Sequence, residues 1–284
     1  MPCMNCAIRI LQRDEIQLAL DWAGDEGWNP GLHDAASFHA ADPEGFLVAE
    51  IGGVPVGCIS AVAYGTSFGF IGLYIVAPAW RGRGVGMRLW NAGMSRLAGR
   101  VVGLDGVPAQ QENYRRSGFE LAWRNVRYGG AARASGRRLP GEVVPLARID
   151  LDTLCRKDQE VFAAPRKAFL QAWRAAPESI GLAWLSNGRL CGWGVIRRCR
   201  SGYKIGPLVA DEPAISSALY AGLCDAVPAG EAVFLDVPQP NTAAVALAEA
   251  QGMRSVFETA RMYAGAKPEC ELKTIYGITT FELG

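Results

Sequence analysis

The sequence predicts an α/β chain with a mixed (α+β) sheet, laid out as two tandem copies of one unit, the second of them degenerate. Three observations predict it. Short apolar runs of strand composition alternate with stretches whose apolar residues fall at helical spacing. The order of these signals repeats once, on either side of a small, basic stretch at 129–141 that has no apolar period. The 284 residues also suit two domains of roughly 100–200 residues each. The expected division is 1–130, a linker at 131–141, and 142–284.

In the first unit, 7–11 is a short apolar run, and Asp14 is placed to cap a helix carrying Ile16, Leu18, Ala19, Leu20 and Trp22. The stretch 24–30, Gly-Asp-Glu-Gly-Trp-Asn-Pro, cannot continue that helix and reads as a loop. Strands at 46–51 and 54–63 flank Gly52-Gly53, a hairpin signal. A strand at 70–76 stops at Ala77-Pro78, and Leu89, Trp90, Met94 and Leu97 mark a helix over 86–98. A strand at 101–104, a short helix, Gly118-Phe119 and a strand at 121–128 close the unit.

The second unit repeats the order. Val143 and Val144 are strand-like, Asp150 caps a helix with Leu151 and Leu154, and Phe162, Phe169, Leu170 and Trp173 read as a further helical stretch. Strands at 182–185 and 191–197 flank the turn Asn187-Gly188. Strands at 203–210 and 233–237 bracket a helix at 214–226. A helix at 243–250 leads to Gly252-Met253, and 261–264 and 275–283 finish the chain.

Charge and cysteine usage narrow the function classes. Lys and Arg number 29 against 28 Asp and Glu, so no global field would hold nucleic acid or an anionic membrane. No apolar run approaches the roughly 20 residues that span a bilayer, and no apolar core with a small-residue cleavage site opens the chain, so a cytoplasmic protein is expected. Two histidines leave little room for a His-rich metal site, and no metal is expected. The cysteines at 3, 6, 58, 155, 191, 199, 224 and 270 read as reduced thiols and small core residues. Cys3 and Cys6 form a C-x-x-C without a second ligand pair and ahead of the first strand, which favours a frayed terminus, with Met4 a candidate start.

The chemistry concentrates in Ile75-Val76-Ala77-Pro78-Ala79-Trp80-Arg81-Gly82-Arg83-Gly84-Val85-Gly86 and the helix after it. Alternating glycines let main-chain N–H groups approach a ligand, and the helix start adds unpaired donors and a positive dipole end. Arg81 and Arg83 add charge, so the segment reads as a cradle for a pyrophosphate. A P-loop is excluded because Met87-Arg88 follows Gly86. A dinucleotide fold is disfavoured because the spacing is G-x-G-x-G and five residues part the strand from the first glycine, although Asp105 lies at a suitable distance.

Arg81-Gly82-Arg83-Gly84-Val85-Gly86 resembles the R/Q-x-x-G-x-G/A signature of the GCN5-related N-acetyltransferase (GNAT) superfamily, Val76-Ala77-Pro78 resembles the V-x-P that ends the central strand there, and Tyr114-Arg115-Arg116-Ser117-Gly118-Phe119 resembles the Y-x-x-x-G-F closing motif. The likeness covers about residues 7–128. The second unit is similar to a worn copy: Asn241 to Met253 resembles the late helix, whereas Pro207-Leu208-Val209-Ala210-Asp211-Glu212-Pro213 replaces the phosphate loop with two carboxylates and no glycine. With the ending Gly277-Ile278-Thr279-Thr280-Phe281-Glu282-Leu283-Gly284, the whole is similar to the tandem YitH-like subgroup.

The resemblance implies direct acetyl transfer from acetyl-CoA, as co-substrate, to a primary amine of a small molecule or an exposed protein amine. It implies that Tyr74, Ile75 and Val76 offer main-chain groups to the pantetheine and the thioester oxygen, and that Arg81, Gly82, Arg83, Gly84, Val85 and Gly86 hold the pyrophosphate. Tyr114 matches the tyrosine that protonates the leaving thiolate. The base is open. Strand positions 72–76 and 101–104 carry no carboxylate, which leaves Asp105 as an amine anchor and His33 as base or substrate ligand; Glu112 also flanks the expected cleft. Val107 stands where relatives often have an Asn, and Asn113 lies beside Tyr114 instead. Trp28 and Asn29 are candidates for the acceptor pocket. Arg197, Arg198 and Arg200 are expected as a solvated cluster, and Arg166, Tyr203 and Lys204 are expected at the surface unless they face a cleft between the units. A tandem pair supplies internally a contact that single-unit relatives make as dimers, so both monomer and homodimer are open. The alternative reading is a sensor that binds acetyl-CoA without turnover.

Overall fold

The computed structural model describes residues 6–133, 136 and 142–284. Cys3 and most of the expected linker lie outside the described residues. β1 (Cys6–Ile10) runs antiparallel to β2 (Phe46–Ile51), and α1 (Ile16–Asp25) and α2 (Asp34–Ala41) connect them. Asp14 does not cap α1: it sits in a 3-10 turn, Arg13–Glu15, where the Gln12 N–H donates to the Glu15 carboxylate at 2.8 Å. α2 follows no readable pattern, because Phe38 is its one large apolar residue.

β2 turns into β3 (Val54–Tyr64) through Gly52 (φ 61°) and Gly53 (φ 79°), the paired positive φ that suits a twisted hairpin. β4 (Phe68–Val76) lies antiparallel to β3 and parallel to β5 (Val101–Gly106), with α3 (Val85–Arg96) as the crossover. α3 buries Val85, Leu89, Trp90 and Gly93 along one stripe, and each large apolar side chain so buried stabilises by about 1.5–3 kcal/mol. α4 (Gln111–Arg116) and β6 (Phe119–Ala131) end the first unit.

The second unit runs β7 (Val143–Pro145), α5 (Leu151–Asp158), α6 (Lys167–Trp173), β8 (Ser179–Ser186), β9 (Arg189–Arg198), β10 (Tyr203–Ala210), α7 (Pro213–Asp225), β11 (Ala232–Pro238), α8 (Thr242–Ala250), β12 (Arg254–Ala264) and β13 (Ile275–Gly277). Asp150 caps α5 as expected, accepting from the Thr153 N–H at 3.0 Å. Phe162 falls between α5 and α6 rather than on a helix.

All strands join one sheet in the order β1-β2-β3-β4-β5-β12-β6-β11-β10-β9-β8-β7, with β13 on β10. The units therefore exchange their closing strands. β5 of the first unit pairs with β12 of the second, β11 of the second pairs with β6 of the first, and β6 and β12 pair at the centre. Each seam holds a buried Arg–Asp pair on directly opposed residues. Asp105 takes Arg261 at 2.8 and 2.7 Å, and Asp236 takes Arg127 at 2.6 and 2.8 Å. The two pairs are copies: Leu104-Asp105 and Leu235-Asp236 open equivalent segments, and Arg127 and Arg261 stand at the same remove from Gly118 and Gly252.

The core crosses the divide as well. Phe38, Phe46 and Phe70 belong to one buried cluster with Phe169, Trp173 and Trp193. Charged residues expected at the surface are drawn into it. Arg197 is 4% exposed, bonds Asp34 at 3.0 Å and stacks on Trp173. Arg166 is buried against Asp158 at 2.8 and 2.9 Å, and Lys204 is buried with its Nζ donating to the Asn29 carbonyl. Each is held by a specific acceptor, the condition under which a charge survives burial.

β10 and β11 pair over Tyr203–Ile205 and then part. β13 fills the gap between them: Leu208 pairs with Gly277, and the Ile278 N–H donates to the Asp236 carbonyl at 2.9 Å. Of the segment 275–283, only Ile275–Gly277 is a strand. The rest crosses to the first unit as a buried segment, where the Tyr64 hydroxyl donates to the Leu283 carbonyl at 3.0 Å, while Arg166 of the second unit donates to the Gly284 carbonyl at 3.2 Å. Gly72 makes room for it, since a Cβ there would run into the main-chain carbonyl of Glu282.

Candidate active site

β4 and β5 pair only from Phe68 to Ile71, against Val101 to Leu104. Beyond Ile71 they diverge, and β4 carries a register shift opposite Cys58–Ser60 with Leu73 at φ 45°. Among the described residues no strand fills this gap, unlike its counterpart in the second unit. It is a cavity of about 450 Å³. Tyr74, Ile75 and Val76 line it on β4, Leu104, Asp105 and Val107 at the end of β5, and Arg81, Gly82 and Gly86 at the glycine loop. Trp28, Phe257, Thr259, Phe281 and Glu282 are also in its wall.

The loop has the conformation its glycines permit. Gly82 (φ 73°) and Gly84 (φ 83°) are left-handed, Gly84 is the N-cap of α3, and nothing lies within 4 Å of where either Cβ would be. The first-turn N–H groups of α3 are therefore presented at the positive end of a twelve-residue helix. Gly86 lies against the Tyr74 hydroxyl, which a Cβ would approach to 2.7 Å. The Val85 side chain is in the core, which leaves its main chain for a ligand. The Arg81 guanidinium is occupied within the protein, donating to the Val76 carbonyl at 2.8 Å and bonding Glu26. Arg83 is exposed over the Trp80 ring and is the freer cation of the two.

Tyr114 lies in the wall, its ring 5.5 Å from Trp90 and 6.4 Å from Phe119. Burial pushes its hydroxyl above the ordinary tyrosine value, with nearby Tyr74 adding to the shift, so it is protonated at neutral pH. Asp105 reaches the cavity, but both its oxygens are engaged, by Arg261 and by the Asn125 amide at 2.8 Å. Burial raises its pKa, opposed by Arg261. His33 is not brought to the cavity: it is exposed and pairs with Glu178 at 2.8 Å. Trp28 is brought there, whereas the Asn29 side chain is tied to Ser201 by two 2.9 Å bonds. Glu112 is exposed beside Arg115 and Arg116, and Asn113 bonds Gln110. Among the described residues no cluster of three or more His, Cys, Asp or Glu is gathered for a metal.

Comparison with known proteins places this geometry. The profile of the acetyltransferase (GNAT) family matches residues 12–119, and that of an acetyltransferase (GNAT) domain matches 154–277. The holothin acyltransferase of Pseudoalteromonas sp. (strain SANK 73390) is 32% identical over 271 residues, which are 95% of this chain and 92% of that protein. The chain belongs to the GNAT acyltransferases. A putative acetyltransferase from Pyrococcus horikoshii shares the GNAT fold over 100% of this chain and 98% of its own, with a TM-score of 0.84 at 24% identity. A tandem GNAT protein from the clavulanic acid biosynthesis pathway matches 93% of this chain and 100% of its own, with a TM-score of 0.64 at 14% identity.

In this GNAT acyltransferase the two units have diverged at one place. The first keeps an open gap and a glycine loop. In the second, β13 occupies the gap, and Asp211 stands after β10 in ion pairs with Lys157 and Arg189 at 2.5 and 2.9 Å. Phe257, Thr259, Phe281 and Glu282 escape a reading of the first unit because strand exchange and the tail carry them in from the second. For Phe281 and Glu282 the available signal was the segment Thr279-Thr280-Phe281-Glu282-Leu283-Gly284; nothing local marked Phe257 and Thr259.

Proposed function

We propose that this acyltransferase moves an acetyl group from acetyl-CoA directly to a primary amine of a small molecule or exposed peptide, at the gap between β4 and β5. One observation carries the reading: that gap opens beside a glycine loop whose N-cap, Gly84, starts α3. The pyrophosphate takes the loop and helix N–H groups, with Arg83 as the free cation. The pantetheine runs along Tyr74, Ile75 and Val76, and main-chain donors of the irregular β4 segment face the thioester oxygen as it gains charge. The amine nitrogen then attacks the carbonyl carbon, and the C–S bond breaks with its electron pair on sulfur. Tyr114 gives its proton to the thiolate and regains one from solvent, which also takes the proton the nitrogen sheds. Holothin in the name of the full-length relative favours a small-molecule acceptor.

Calorimetry with acetyl-CoA, followed by thiol release over a panel of primary amines, tests the proposal. Absence of saturable acetyl-CoA binding would overturn it. Tyr114→Phe is expected to lower kcat by about a hundredfold or more while the acetyl-CoA KM stays within about twofold, since the hydroxyl acts on the departing sulfur rather than on binding. Because burial raises this hydroxyl, its acid form persists past pH about 10, and the wild-type rate should show no tyrosine-dependent fall below that pH.

A further inference from the structure

Glu282 is a buried carboxylate with nothing bonded to it. It is 2% exposed and lines the cavity, yet neither oxygen has a hydrogen-bond partner. Thr259, also 2% exposed and in the same wall, has a hydroxyl equally unpartnered. Unsatisfied buried acceptors are costly and uncommon, and a pair of them in one cavity marks the place of a missing donor.

Among the described residues no such donor is supplied. Arg127, Arg197 and Lys204 lie within electrostatic reach of Glu282. Arg127 bonds Asp236 and the Trp28 carbonyl, Arg197 bonds Asp34 through Nε, and Lys204 bonds the Asn29 carbonyl. The free Nη atoms of Arg197 do not bond Glu282 either. The main chain holds the residue in place, because the tail passes against Gly72 just where β4 leaves β5. The wall around it is aromatic: Trp28, Phe257 and Phe281 line the cavity, the two phenylalanines 6.0 Å apart.

We infer that Glu282 and Thr259 form the acceptor subsite, taking the N–H donors of a primary amine whose flat, apolar body lies against Trp28, Phe257 and Phe281. This rests on the acetyl-transfer reading, and it gives that reading an acceptor class: small primary amines that carry an aromatic ring. The second unit then contributes both polar contacts to a reaction catalysed in the first.

The test uses the full chain, with benzylamine as probe and S-ethyl-CoA, a non-reactive thioether, filling the cofactor side. Benzylamine titrated into this complex should bind the wild type at least about tenfold more tightly than benzyl alcohol does. Glu282→Gln should weaken it by at least about thirtyfold, and Thr259→Val by about tenfold, with acetyl-CoA affinity within twofold in both. Equal benzylamine affinity in the variants, no preference over the alcohol, or no saturable benzylamine binding to the wild type each overturns the inference. Should Glu282→Gln not fold, Thr259→Val and the amine–alcohol comparison still decide. Failure of the thioether to bind is a separate result that counts against the acetyl-transfer reading, and benzylamine titrated alone then tests the subsite.

Discussion

Gly84→Asp is expected to weaken acetyl-CoA binding by about a hundredfold or more, close to 2.7 kcal/mol. Gly84 is left-handed at φ 83° with open space around its Cβ position, and aspartate is among the few side chains that tolerate this region. The fold should therefore persist while a carboxylate enters the diphosphate cradle. Two unit charges at about 4 Å repel by roughly 4 kcal/mol in the environment of a protein surface, enough for the stated loss. Gly84→Asn has the same shape without the charge and should lose less than about tenfold. Calorimetry on the three proteins separates the two effects. Equal affinity in all three would show that the diphosphate lies elsewhere.

Asp236→Asn is expected to destabilise the chain by about 3–5 kcal/mol, because it leaves the Arg127 guanidinium buried without its counter-charge. At this chain length that corresponds to a fall in Tm of roughly 10 °C. Burial alone would raise the Asp236 pKa. The charge and hydrogen bonds of Arg127, with Lys204 and Arg197, more than offset this and hold it below the ordinary carboxylate value. A carboxylate depressed in this way stabilises above its unfolded pKa and loses that contribution as pH falls through its folded one. The deficit of Asp236→Asn should accordingly be full at pH 7 and shrink below pH about 4. Thermal melts at both pH values check this, and removing both partners with Asp236→Asn and Arg127→Met should restore part of the loss.

Most elements of the first unit were legible because they follow a single period; α2, with Phe38 as its one large apolar residue, does not. The hairpin at Gly52-Gly53, the amphipathic α3 and the glycine loop between β4 and α3 all announce themselves locally. Strand exchange does not. β6 and β12 have the same composition whichever neighbour they pair with, and the Asp105–Arg261 and Asp236–Arg127 pairs that mark the seams join residues far apart in sequence. Arg166, Arg197 and Lys204 resisted for a related reason: a charged side chain is ordinarily exposed, and only the acceptors Asp158, Asp34 and Asn29 reveal why these are not. Tyr114, Trp28 and the loop, singled out from motif and position, line the cavity. His33 and Asn29 were drawn away by contacts to Glu178 and Ser201 that follow from tertiary packing.

The crossed closing strands settle how the chain can be cut. A fragment ending after β6 would expose the bare edge of β5 and carry a long strand with nowhere to lie, an invitation to pair with another molecule. Two such fragments could satisfy each other by the same reciprocal clasp, as an intertwined homodimer with two cradles. Joining both copies in one polypeptide keeps that clasp independent of protein concentration and leaves one glycine loop per molecule. The sister copy, which has no glycine loop after β10, turns its own groove into an anchorage for β13 and the segment after it.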